Sequence, residues 1–291
     1  EFRRVLFRSD AADEPNIGCT LRISLAEILW RQGQYSEATE LLNEVIDVAQ
    51  QAKLPEMKTS ACYHIGSLSI LTGKQYISSS NLQKAQAYWR KIQNHRRLAQ
   101  ALNNEGVLNL HNNKPARASD LFEEALEINR KIEDSHANIS ILNNLGIIYQ
   151  EQGNLKKSRE YWRQLLEAHA ASGEVYPFSL TLLNIGHSYI LEDRFERAEE
   201  YMDEATSLIG NKYPILSARA LFYFGLIEKK KNKHMAAQQK FEKALKVASE
   251  LNDVVLTAQI KSEQQTLNTA KLGNEGFPIR EHPSTSSGLR R

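Results

Sequence analysis

Cys62 and His64 pair a thiol with an imidazole, the raw material of a base-activated nucleophile, while Asn104, Asn144 and Asn184 recur at intervals of forty residues. The first pair fails on geometry. On a helix, residues two apart point to different faces, outside the reach a general base needs. Gly73-Lys74 lacks the upstream glycine and the following Ser or Thr of a phosphate-cradling loop, and neither HExxH nor a paired CxxC occurs. The histidines scatter along the chain in different phases. No catalytic residue, metal or cofactor is therefore expected, and Cys62 reads as a small buried hydrophobe. The asparagines remain. A carboxamide offers both a donor and an acceptor, so a regular series of them could grip an extended backbone or bridge neighbouring helices.

Their spacing belongs to a larger repeat. Small residues at Ala26, Gly66, Gly106, Gly146, Gly186 and Gly225 are separated by forty residues, and the last pair by thirty-nine. Around each, apolar residues fall four before, one before and three after, as in Leu142, Leu145 and Tyr149, the stripe of a helix with one buried face. Seven residues on stands a helix breaker or a polar residue suited to a left-handed cap: Gly33, Gly73, Asn113, Gly153, Asp193 and Asn232. A second stripe follows at twelve, sixteen and nineteen, for example Ala118, Phe122 and Ala125. Each unit is thus two antiparallel helices, with Pro15, Pro55 and Pro214 marking the loops between units. The small anchors allow the two helices to approach, and a large residue such as Phe122 or Trp162 fills the space opposite. One hairpin buries too little surface to fold alone, so hairpins must stack.

The LG…Y…G…A…F pattern, clearest in the fourth and fifth units, resembles the tetratricopeptide repeat family in its forty-residue variant, as in kinesin light chains and bacterial regulators. The resemblance implies an all-α, right-handed superhelical solenoid of antiparallel helix hairpins. About six hairpins are expected over residues 10–251 and a capping helix over 252–273. Departures occur at Glu105 and Asn109, where the pattern wants Leu and Tyr, and in the serine-rich second unit. In this family the first helix of each pair lines an inner groove. That places Asn103, Asn104, Asn143, Asn144, Asn184, His187, Tyr63 and Phe222 on the groove as contacts for a peptide or protein ligand. The carboxylate clamp of chaperone-binding members needs a cation three before the anchor and Asn one after it, and no unit supplies both.

The ends are read apart from the array. Residues 1–9, EFRRVLFRS, resemble the in-frame translation of a short-read sequencing adapter and are treated as an artefact, which would put the natural N-terminus upstream. Residues 274–291 lose apolar periodicity and fill with Gly, Pro, Ser and Arg, a disordered tail. Removing both turns the formal charge from +2 to about −1, so charge gives no reason to expect nucleic acid, and no interleaved aromatics form a stacking platform. Arg90, Lys91, His95, Arg96 and Arg97 surround the end of one hairpin and Lys229–His234 surround a turn, where cations near helix C-termini complement the dipole; an acidic partner for the patch Lys229–Lys233 is the alternative. No apolar run is long enough to span a membrane. Two cysteines without metal or disulfide spacing suit a reducing, cytoplasmic setting. The expected function is a non-catalytic interaction scaffold. The alternative is a regulatory or sensor segment of a larger bacterial signalling enzyme or transcription regulator.

Overall fold

A computed structural model describes residues 14–134 and 137–274, with side chains through Leu267. The adapter-like segment 1–9 and all of the expected tail beyond Asn274 lie outside the described residues. The chain divides into two compact units, the first ending at Ala171 and the second beginning at Ser172.

The first unit is four hairpins: α1 (Pro15–Arg31) with α2 (Tyr35–Gln51), α3 (Pro55–Leu71) with α4 (Gln75–Lys91), α5 (His95–His111) with α6 (Pro115–Lys131), and α7 (Asn138–Glu151) with α8 (Leu155–Ser172). The second holds α9 (Val175–Leu191) with α10 (Phe195–Ile209), α11 (Pro214–Lys230) with α12 (His234–Glu250), and α13 (Val254–Asn274) packed on α12. Every described element is helical, and within each unit consecutive helices pack on one another. The fold is the all-α repeat of antiparallel hairpins that the forty-residue period demands.

The anchors show why. A Cβ built on Gly106 would stand 2.6 Å from the Phe122 ring, and one on Gly225 would stand 2.5 Å from Phe241. Gly146 leaves still less room beside Trp162. Each filler lies sixteen residues past its anchor and is buried. Where serine replaces alanine at the twelfth position, it donates to the anchor carbonyl: Ser78 to Gly66 at 2.8 Å and Ser158 to Gly146 at 2.7 Å.

Pro15, Pro55 and Pro214 each occupy the first helical turn, where a missing N–H costs nothing. All six expected breakers have positive φ, from 56° at Asp193 to 79° at Gly33. The turns between hairpins use the same device with less obvious residues: Lys53, Gln93, Glu133 and Asn252 have φ of 55–56°. In each the next residue's N–H reaches back five positions, as from Asn94 to the Trp89 carbonyl at 2.9 Å. The departure at Glu105 is resolved as a buried polar contact. Its carboxylate accepts from Gln86 Nε2 at 2.6 Å and from Gln83 Nε2 at 3.3 Å.

Candidate functional site on the inner face

The first helices of three successive hairpins in the first unit, α1, α3 and α5, line an open cavity of about 750 Å³. Ile23, Ser24, Glu27 and Arg31 of α1 and Tyr63, His64 and Ser67 of α3 line it, Tyr63 being one of the expected groove contacts. Trp30, Met57, Arg97 and Gln100 line it too, and the phase did not single them out as inner-face positions. A smaller cavity of about 200 Å³ is bordered by Tyr63, Asn103, Asn104 and Ser140.

The asparagines are not equivalent. Asn104 Nδ2 donates to Ser67 Oγ at 2.7 Å and to the Tyr63 hydroxyl at 3.1 Å, tying α5 to α3. Its Oδ1 accepts from Asn103 Nδ2 at 3.5 Å, while Asn103 Oδ1 is buried without a partner. At Asn144 the residues corresponding to Tyr63 and Ser67 are Asn103 and Val107, and Val107 has no side-chain acceptor. Asn143, Asn144 and Asn184 are half-buried. In the second unit His187 stacks on Tyr223, with ring centroids 4.6 Å apart and planes 5° apart. Phe222, expected as an apolar groove contact, is only 6% exposed and packs against Phe241 at 5.9 Å.

Burial sets the electrostatics. His64 is pushed down to about 4, first by desolvation and then by the Arg97 charge. It is therefore neutral at physiological pH, so the 3.5 Å approach of Glu27 Oε1 to its Nε2 is a weak polar contact and not an ion pair. His64 Nδ1 is buried without a partner. Desolvation likewise raises the Tyr63 phenol and the Cys62 thiol, which keeps Cys62 protonated and inert.

The first basic group falls on both sides of the turn that ends the second hairpin, and the dipole accounts for only part of it. Arg90 and Lys91 do close α4, but His95, Arg96 and Arg97 open α5, where cations oppose the helix dipole. Arg96 pairs with Asp134 at 3.0 Å. Arg97 instead lies 5.7 Å from the Trp89 ring and donates to Ser60 Oγ at 3.4 Å, with no carboxylate partner among the described residues. The lysines at the end of α11 are neutralised inside the second unit: Lys229 by Glu263, Lys230 by Asp193 and Lys231 by Glu199, all at 2.6–2.8 Å. Among the described residues no group of three or more His, Cys, Asp or Glu is placed to hold a metal, and no helix is long and apolar enough to cross a membrane.

Antiparallel helix hairpins repeating about every forty residues define a class of repeat protein. A tetratricopeptide repeat model matches residues 137–208, and a second model of the same description matches 19–52 and 98–136, in register with hairpins one, three, four and five. The chain belongs to the tetratricopeptide repeat family. Comparison with curated proteins yields no match. The structure is similar to BtubC (BKLC) from P. vanneervenii, with TM-score 0.62 at 20% identity over 72% of this chain and 85% of that one. It is also similar to the apo form of RapI, with TM-score 0.65 at 14% identity over 89% and 99% of the two chains. A third likeness is to a signal transduction ATPase with numerous domains, from Pyrococcus horikoshii, that carries a tetratricopeptide repeat sensor. There the TM-score is 0.65 at 17% identity, over 94% of this chain and 45% of that one. At these identities the likeness establishes the fold.

Proposed function

We propose that the chain is a non-catalytic protein-interaction module that takes a peptide or partner segment against the inner face of its repeats. The observation carrying this reading is the cavity of about 750 Å³ between α1, α3 and α5. Its volume lies within the range of about 300–1,000 Å³ typical of ligand sites. Tyr63 borders both cavities and Asn103 offers an unpartnered buried oxygen, so these two are assigned as contacts in the first unit. Asn104, Asn143 and Asn144 in the first unit, and Asn184, His187 and Phe222 in the second, are the remaining candidates. Asn104 acts chiefly by holding Tyr63 and Ser67 in place.

Peptides selected from a randomised display library against the immobilised protein test the reading. A photo-crosslinking side chain at Ser24 or Gln100 should capture them, and one at the exposed Glu40 of α2 should not. Capture from Glu40 alone would reject it. Asn103→Ala should weaken such a peptide by about 0.5–1.5 kcal/mol for one net hydrogen bond, measured by titration calorimetry.

A second reading is favoured by one observation: nearly all of this chain aligns with less than half of an ATPase that carries a tetratricopeptide repeat sensor. On that reading the chain is the sensor segment of a larger signalling enzyme or transcription regulator. An open reading frame running upstream of Asp10 into a nucleotide-binding motif would favour it, and a start codon beside Asp10 would favour the stand-alone module.

A further inference from the structure

We infer that the open edge of α1 is a self-association face, on which a second copy of this chain lays its own α1 antiparallel across a two-fold axis. Ile17 then meets the partner's Ile28, and Leu21 meets the partner's Leu25. The inference goes beyond the inner-face reading, because none of these four apolar residues borders the cavity and neither statement depends on the other.

Ile17, Leu21, Leu25 and Ile28 stand nine, five and one before the anchor Ala26 and two after it, a spacing that puts them on one face of α1. At the last three of these phases in later hairpins of the first unit, Ala61, Ile65 and Leu68 of α3 and Ile141, Leu145 and Ile148 of α7 are all 6% exposed or less. What covers such a stripe is a helix: Ala61, Ile65 and Leu68 share one apolar cluster with Leu42, Val45 and Ala49 of α2. On α1 no helix lies over it among the described residues. Ile17 is 49% and Ile28 39% exposed, and Leu21 and Leu25 are half-buried. The stripe therefore has the make-up of an interior surface where the end of a repeat array needs a polar one. In the second unit α13 does supply such an end: it buries Leu256 and Ile260 and leaves Lys261, Ser262 and Gln265 exposed. A head-to-tail stack of copies would set the apolar stripe on that polar face, so α1 pairs with α1. Two features fit the stripe to a copy of itself. Its steps are four, four and three residues, so reversing the helix lays the stripe on itself to within one residue, the self-complementarity of an isologous contact. The same register sets the exposed Glu14 before α1 opposite the partner's Arg31 at the helix end, twice by symmetry, with opposite charges and opposed dipoles.

Sedimentation equilibrium over a dilution series is the test. The expected result is twice the mass of one chain at high concentration, dissociating on dilution, with a melting temperature that rises with protein concentration. Ile17→Glu and Ile28→Glu, at positions exposed in the single chain, should each weaken the dimer about tenfold or more by placing a charge in the apolar contact, with the helical spectrum unchanged. Glu14→Arg should weaken it as well, and Glu14→Arg combined with Arg31→Glu should restore it. Oxidation reads the register: an equimolar mixture of Ile17→Cys and Ile28→Cys should form a disulfide-linked dimer and neither variant alone should, since Cys19 and Cys62 are buried. A single-chain mass at every concentration overturns the inference, whether α1 stays bare or is covered only when a longer chain supplies an upstream hairpin. A dimer that both glutamate variants leave intact, or cross-linking as complete in either cysteine variant alone as in the mixture, overturns it too. The inner-face reading is judged separately, by peptide capture at Ser24 and Gln100.

Discussion

His64 and His187 are imidazoles that folding keeps from charging. Burial is the main cause for both, reinforced by Arg97 for His64 and by Arg219 and Lys230 for His187, and each is pushed from 6.5 down to about 4. Above pH 6.5 both states carry the neutral ring and the shift is without effect. As pH falls from 6.5 toward 4 the unfolded chain binds a proton that the folded chain refuses, so stability is lost through that window. The loss is up to about 3 kcal/mol per histidine. Melting temperature should therefore be flat near pH 7–8 and fall below pH 6.5, and His64→Gln should make that fall shallower. An equal fall in the variant would mean that His64 is not the group responsible. That Tyr63, His64 and Ser67 share one helix face was legible in the repeat phase, and all three border the cavity. Which of them bond one another was not. Asn104 meets Tyr63 and Ser67 only because two residues about forty positions apart are neighbours in the stacked hairpins.

At the scale of the element, each hairpin is a glycine pressed on a large side chain. Gly146→Ala drives a methyl into Trp162, and because that ring is only 1% exposed it has little space to move into. The expected cost is about 1–3 kcal/mol, the usual penalty of overpacking a dense core. Gly146→Ala combined with Trp162→Leu should be more stable than the sum of the two single variants implies, because each change relieves the other. Urea titration followed by far-UV circular dichroism measures this, and simple additivity would show that the two side chains do not share the space. The anchors, the fillers and the six left-handed residues seven past each anchor were all readable from the sequence, since each needs a residue type that stands out. The left-handed Lys53, Gln93 and Glu133 were not, because nothing in a lysine, glutamine or glutamate announces positive φ.

At the scale of the molecule, stability in a stacked array is a sum of hairpins and their neighbours, with no single closed core. All three tryptophans, Trp30, Trp89 and Trp162, belong to the first unit, and the second has none. Tryptophan fluorescence therefore follows the first unit alone, while circular dichroism at 222 nm follows both. The two signals should give urea midpoints that do not coincide, the mark of units that unfold separately. Superposable curves would show one cooperative block. By itself the sequence determined the all-helical hairpin repeat, its period and its anchors. Those follow from local periodicity and from residue types that only one backbone geometry accommodates. The tertiary structure alone decided which inward side chains spend their hydrogen bonds on each other, which lysines find carboxylates, and that Arg97 is left facing a cavity. These outcomes depend on contacts between residues far apart in the chain, and no local pattern encodes which partner a polar group meets once the hairpins are stacked.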